Sequence, residues 1–251
     1  NIVVKFGDNG GVMSNTVLVR VAGVTALTNG ALQAGFTGSI VRTNGTSLKA
    51  TVDRTSPFTN LQAVAIVASA RDTSTTVTSN WSFTTADTTP PVVISYSPAN
   101  GATSVATNMN IVVKFGDNGG VVSNTVFVRV AGVTALTNGT VQAGFTGSLV
   151  RTNVSAFKAT LDRILPFANL TSITVTASAR DAAANSRLTN FAFTTADTTL
   201  PVVTYLSPAN GAASVATNAN VVVKFDDNGG VVSNTILVRV AGVTALTNGA
   251  L

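Results

Sequence analysis

The ten residues IVVKFGDNGG begin at Ile2, recur unchanged at Ile111, and return as VVVKFDDNGG at Val221. Behind each copy stands VRVAGVTALTNG, at Val19, Val128 and Val238. QAGFTGS occurs at Gln33 and Gln142, and FTTADTT at Phe83 and Phe193. The offset is 109 residues from Ile2 to Ile111 and 110 from Ile111 to Val221. Solenoid repeats run about 20–50 residues, so a period this long describes self-standing domains in tandem. The one extra residue enters between Arg180 and Phe191, relative to Arg71 and Trp81, which predicts a loop there.

The joints fall at Asp87-Thr88-Thr89-Pro90-Pro91 and Asp197-Thr198-Thr199-Leu200-Pro201. Proline fixes φ and removes a donor, so these read as short, stiff connectors. The expected domains are residues 1–86, lacking a first strand, residues 87–196, complete, and residues 197–251, the N-terminal half of a third. The chain opens inside a strand at Asn1 to Phe6, which leaves room for a targeting segment upstream.

Within 87–196 apolar and polar residues alternate with a period of two, the mark of half-buried strands. Ile111, Val113 and Phe115 share one face, opposite Val112 and Lys114. Val126, Val128 and Val130 alternate with Thr125, Phe127 and Arg129. The same pattern runs through Phe157 to Asp162, Ile173 to Ala179, and Phe191 to Phe193. Further strands near Val92 to Tyr96 and Phe145 to Val150 bring the total to about seven, with turns at Asn118-Gly119-Gly120 and Asn138-Gly139. Seven short strands in about 110 residues predict an immunoglobulin-like β-sandwich. With no Cys in the chain, the core rests on apolar packing alone.

Composition excludes much chemistry. His and Cys are absent, and every one of the 10 acidic residues is Asp. That removes His-assisted nucleophiles, thiolates and Glu–Asp acid–base pairs, so no enzyme is expected. The 15 Lys and Arg residues are spread singly, without basic runs or aromatic platforms, so no nucleic-acid partner is expected. A net charge of +5 leaves room for contact with a cell surface or acidic polysaccharide. No apolar run reaches the ~18 residues of a membrane-spanning helix.

The order of motifs resembles the bacterial Ig-like repeat family. SPANGATSVATNMNIVVKF from Ser97, ITVTASARDAAAN from Ile173 and FAFTTADTT from Phe191 follow the family's SP-x-(D/N)-G-A-(T)-x-V, V-x-F, Y-T-V-T-V…D-x-x-G-N and W-S-F-T-T segments. Trp81-Ser82-Phe83-Thr84-Thr85 is similar to the closing segment. Two departures stand out: FGDNGG follows the V-x-F strand, and glycine is missing from RDAAAN and from RDTSTT. The second puts the usual turn there in doubt. The resemblance implies a repeat module of extracellular or cell-surface bacterial proteins.

Candidate site residues are few. Asp117, with Asp8 and Asp227 at equivalent places, is either a calcium ligand at a domain end or the head of an Asx turn before Asn-Gly. Asp87 and Asp197 open the joints, where a bound calcium would stiffen the array, with Asp72 and Asp181 as further carboxylates; a turn-capping role is the simpler alternative. No other cofactor is expected. Leu18, Phe127 and Leu237 lie opposite the valine stripe of their strand, next to Arg20, Arg129 and Arg239, and are candidates for self-association. The expected function is a structural repeat of an extracellular filament, sheath or surface layer that forms a homo-oligomer or polymer. The alternatives are adhesin stalk repeats or an accessory array on a secreted enzyme.

Overall fold

Alternation puts Ile111, Val113 and Phe115 on one side of a strand, and the computed structural model, which describes residues 1–249, shows what that side faces. Residues 250 and 251, the end of the third expected domain, lie outside the described residues. The chain divides into two units, residues 1–90 with 181–185, and residues 91–180 with 186 onward.

In the first unit the strands are β1 (Ile2–Gly7), β2 (Leu18–Val21), β3 (Val24–Thr28), β4 (Ala31–Leu32), β5 (Phe36–Asn44), β6 (Ser47–Arg54), β7 (Ala63–Arg71) and β8 (Thr76–Thr84). They form two antiparallel sheets, ordered β1-β6-β5 and β4-β3-β2-β7-β8. Val4, Phe6, Leu48, Ala50 and Val52 from one sheet pack with Val19, Val21, Val64, Ile66 and Ala68 from the other. This is a two-layer sandwich with its own core.

The second unit repeats the plan with β9 (Val92–Ser97), β10 (Ile111–Gly116), β11 (Phe127–Val130), β12 (Val133–Thr137), β13 (Thr140–Val141), β14 (Phe145–Asn153), β15 (Ala156–Arg163), β16 (Ser172–Arg180) and β17 (Ser186–Thr194). The sheets are ordered β14-β15-β10-β9 and β13-β12-β11-β16-β17. Ile111, Val113, Phe115, Phe157 and Leu161 meet Val128, Val130, Ile173, Val175, Phe191 and Phe193 between them. The fold is all-β and Ig-like. Farther along, β18 (Val202–Ser207) pairs with β19 (Val222–Asp226), and β20 (Leu237–Val240) with β21 (Val243–Thr247), as separate two-stranded ribbons.

The seven expected strands are present, with the short β12 and β13 added. Alternation did not reveal β12 because Ala135 and Leu136 are both buried, and the pairing with β11 shifts register between Val128 and Arg129. A bulge of this kind breaks the period of two. Both hairpin turns flanking β12 have two central residues at positive φ: Ala131 (47°) with Gly132 (78°), and Asn138 (51°) with Gly139 (74°). The extra residue sits where expected. The β7–β8 loop spans residues 72–75, and the β16–β17 loop spans 181–185.

The SPANGATSV segment closes the second sandwich. Gly101 N–H donates to Ala192 O at 2.7 Å, Val105 N–H to Thr194 O at 3.1 Å, and Ala196 N–H to Val105 O at 2.7 Å. The Asn100 side chain accepts from Ala192 N–H at 3.0 Å. On β9, Tyr96 stacks on Phe191 with centroids 4.2 Å apart. Phe191 and Phe193 are then 2% and 1% exposed, whereas Trp81 and Phe83, at the equivalent places in β8, are 39% and 38% exposed.

Candidate functional site at the linkers and outer sheet faces

Each joint opens with Asp-Thr-Thr, and the structure shows how that triplet is held. In the first unit Asp87 Oδ1 accepts from the Asn60 side-chain amide at 3.0 Å and from Thr89 N–H at 3.1 Å. Asn60 Oδ1 in turn accepts from Thr88 N–H at 2.6 Å. In the second unit Asp197 Oδ1 accepts from Asn169 at 2.9 Å, Thr199 N–H at 3.0 Å and the Thr199 hydroxyl at 2.8 Å. That hydroxyl also lies 3.2 Å from Asp227 Oδ1.

Hydrogen bonds to the ionised form lower a carboxyl pKa. Donation from Asn60, followed by the Thr89 amide and hydroxyl, pulls Asp87 below its ordinary value. The Thr199 amide and hydroxyl, with Asn169, do the same for Asp197.

Behind each clamp is a threonine anchor. The Thr195 hydroxyl accepts from Thr171 N–H at 2.8 Å and donates to Ala168 O at 2.7 Å. Thr85 makes the equivalent bonds with Gln62 N–H, at 2.8 Å, and Thr59 O, at 2.7 Å. These bonds tie the loop that carries Asn60 or Asn169 to the closing strand. Neither asparagine nor threonine stood out in the sequence, where Asn and Thr are common; their recurrence one repeat apart was the available signal.

One stretch of this chain matches a known family. The model of the bacterial Ig-like domain family aligns with residues 87–195. That segment is a bacterial Ig-like domain. Among curated proteins none matches the chain in sequence. Solved structures similar to it include the GspB Siglec domain, at 16% identity and a TM-score of 0.32, covering 43% of this chain and 58% of that one. A titin tandem, A168169, shares 10% identity at a TM-score of 0.36 over 78% of this chain and 90% of its own. Rst D1-D2 shares 11% at 0.40, covering 77% and 91%. The chain thus spans little more than half of the first of these.

The carboxylates proposed for calcium take the following places. Asp117, in the Ig-like domain, heads an Asx turn, its Oδ2 accepting from Gly119 N–H at 2.8 Å; Asp8 and Asp227 do so with Gly10 and Gly229 at 2.8 and 3.2 Å. Asp72 caps its hairpin loop. The Thr75 and Ser74 amides draw its pKa down. Asp181 is buried, and its two oxygens accept from the Asn185 amide and side chain, each at 2.8 Å. Asn185 also donates to the Asp87 carbonyl at 3.1 Å, and the Asp87 and Asp181 carboxylates approach within 4.8 Å. These two are the carboxylates of the first unit best placed to share a cation.

Glycine is missing from RDAAAN, yet the turn is kept. Ala184, where the family pattern has Gly, adopts φ 68°.

Leu18 and Phe127 open β2 and β11 half-buried, opposite Ser69 and Ser178, while Leu237 is 52% exposed. Arg54 and Arg163 lie over the rings of Phe58 and Phe167, 5.2 and 4.9 Å from their centroids. On the outer face of the smaller sheet Lys114 stands directly opposite Lys158, and Lys5 opposite Lys49. The outward position of Lys114 was legible from alternation; its partner was not, because register is set across strands.

Proposed function

We propose that this segment is a non-catalytic structural repeat of an extracellular protein, built into a filament, sheath or surface layer. The observation that supports it most is the recurrence of the Asn-to-Asp bond that opens each joint, Asn60–Asp87 and Asn169–Asp197, one repeat apart. Each domain holds the first residues of its own joint. Identical units present the same surface at each recurrence, and the same contact can then be made repeatedly along an assembly. Self-association through the strands bearing Leu18, Phe127 and Leu237 is the form of this role that electron microscopy tests. Ordered bundles or sheets at high protein concentration, lost in Leu18→Ser/Phe127→Ser/Leu237→Ser, are the expected result. Dispersed particles at every concentration would remove self-association.

A second reading, stalk repeats that hold another domain away from a cell surface, is favoured by the half-burial of Leu18 and Phe127. Secretion fits both readings, given the family. Among the described residues no helix is long and apolar enough to cross a membrane, which leaves β-barrels unaddressed.

A further inference from the structure

The chain has five lysines, and four of them form two face-to-face pairs. Lys5 pairs in register with Lys49, and Lys114 with Lys158. The fifth, Lys224, holds the place of Lys114 on β19. Directly opposed residues of an antiparallel pair have Cβ atoms about 4.5–5.5 Å apart, and like charges there repel. Among the described residues no lysine makes an ion pair. The acid nearest along the same face, Asp162 or Asp53, stands four residues along the strand, about 13 Å away and beyond the ~8 Å screening length. An unfavourable pair therefore recurs in both sandwiches, and among the described residues no ion pair neutralises it.

The rest of the face mixes hydroxyls with exposed valines, Val41 and Val150 standing beside the lysine pairs. Ser148, Thr160, Val112 and Ser97 form the adjoining row of the second sandwich, and Ser39, Thr51 and Val3 that of the first. Hydroxyls suit a sugar, and no aromatic ring is present in these rows on which a base could stack.

We propose that the outer face of the smaller sheet docks an anionic polysaccharide, with each lysine pair gripping one acidic group and the neighbouring Ser and Thr hydroxyls meeting the sugar hydroxyls. The positive pair and the negative polymer are complementary, and a bound anion relieves the repulsion that the empty face carries. Two pairs on one chain hold a polymer more tightly than either alone wherever it reaches both. The inference rests on the extracellular placement proposed above.

The test uses the full chain with immobilised polygalacturonate, dextran sulfate, neutral dextran and single-stranded DNA at low salt. Lys5→Gln/Lys49→Gln/Lys114→Gln/Lys158→Gln is compared with Arg20→Gln/Arg129→Gln/Arg187→Gln/Arg239→Gln, which removes the same charge from other exposed positions. Binding to polygalacturonate, dextran sulfate or both is expected, and which of them binds separates a carboxylate from a sulfate ligand. The lysine variant should lose about tenfold or more, roughly twofold per exposed contact, and the arginine variant far less. Equal losses in the two variants, equal retention on neutral dextran, tighter binding to DNA, or no retention on either acidic polymer would each overturn the proposal. A thermal melt of the lysine variant at or above the parent's excludes misfolding as the cause. Failure here leaves the assembly reading standing, since microscopy tests that separately.

Discussion

The side-chain amide of Asn169 donates to the Asp197 carboxylate at 2.9 Å, across 28 residues of sequence, and Asn60 repeats the bond to Asp87 at 3.0 Å. Replacing either asparagine by Ala removes the donor to Asp, and Asn60→Ala also removes the acceptor for Thr88 N–H. Limited proteolysis should then cut the altered joint about threefold or more faster, the mark of local rather than global opening. Cleavage at the parental rate would show that the triplet is held by something else.

The acid response has a defined sign. Asp72, Asp87 and Asp197 all have pKa values lowered below the ordinary 3.8. Groups with depressed folded-state values stabilise the native state above their unfolded pKa, and that contribution fades as pH falls through the folded value. Melting temperature should therefore be flat near neutrality and fall below about pH 4. Asp72→Asn should flatten part of that fall. An unchanged slope in the variant would mean that Asp72 contributes nothing to it.

Two positions with positive φ predict opposite outcomes. Ala184 at φ 68° pays for its Cβ, so Ala184→Gly should stabilise by up to about 1 kcal/mol. At Gly147, φ is 138° and a Cβ would overlap the Thr160 carbonyl oxygen. Gly147→Ala should cost about 3 kcal/mol or more. Denaturant midpoints of the two variants check both signs.

Tyr96 covers Phe191 with centroids 4.2 Å apart, and Phe191 is 2% exposed. Tyr96→Ala removes that lid and should destabilise the second sandwich by about 2–3 kcal/mol, below the ~3–5 kcal/mol of a fully buried aromatic because Tyr96 is itself 36% exposed. Trp81→Ala, at the already exposed counterpart in β8, should cost less. Equal losses by calorimetry would contradict the assigned role of β9.

Alternation made the strands carrying Val113, Val128, Phe157 and Val175 legible, because a half-buried sheet writes its two faces into a period of two. It missed β12, where a bulge buries Ala135 and Leu136 side by side. The doubt over RDAAAN came from equating a missing glycine with a missing turn. Ala184 adopts the left-handed conformation all the same, held by the Asp181 and Asn185 bonds on either side. The joints were legible from Asp and Pro, but the residues that grip them lie 27 or 28 positions earlier, in a loop whose composition is unremarkable.

By itself, then, the sequence determined the number and length of the copies, their β character and the order of their strands, since repeats and periodicity are properties of a line. Tertiary structure decided which strands are neighbours. Register places Lys158 against Lys114, the packing of one sheet on the other stacks Tyr96 on Phe191, and loop folding brings Asn169 to Asp197. Those contacts join residues far apart in the chain, and they exist only once two sheets have closed over a shared core.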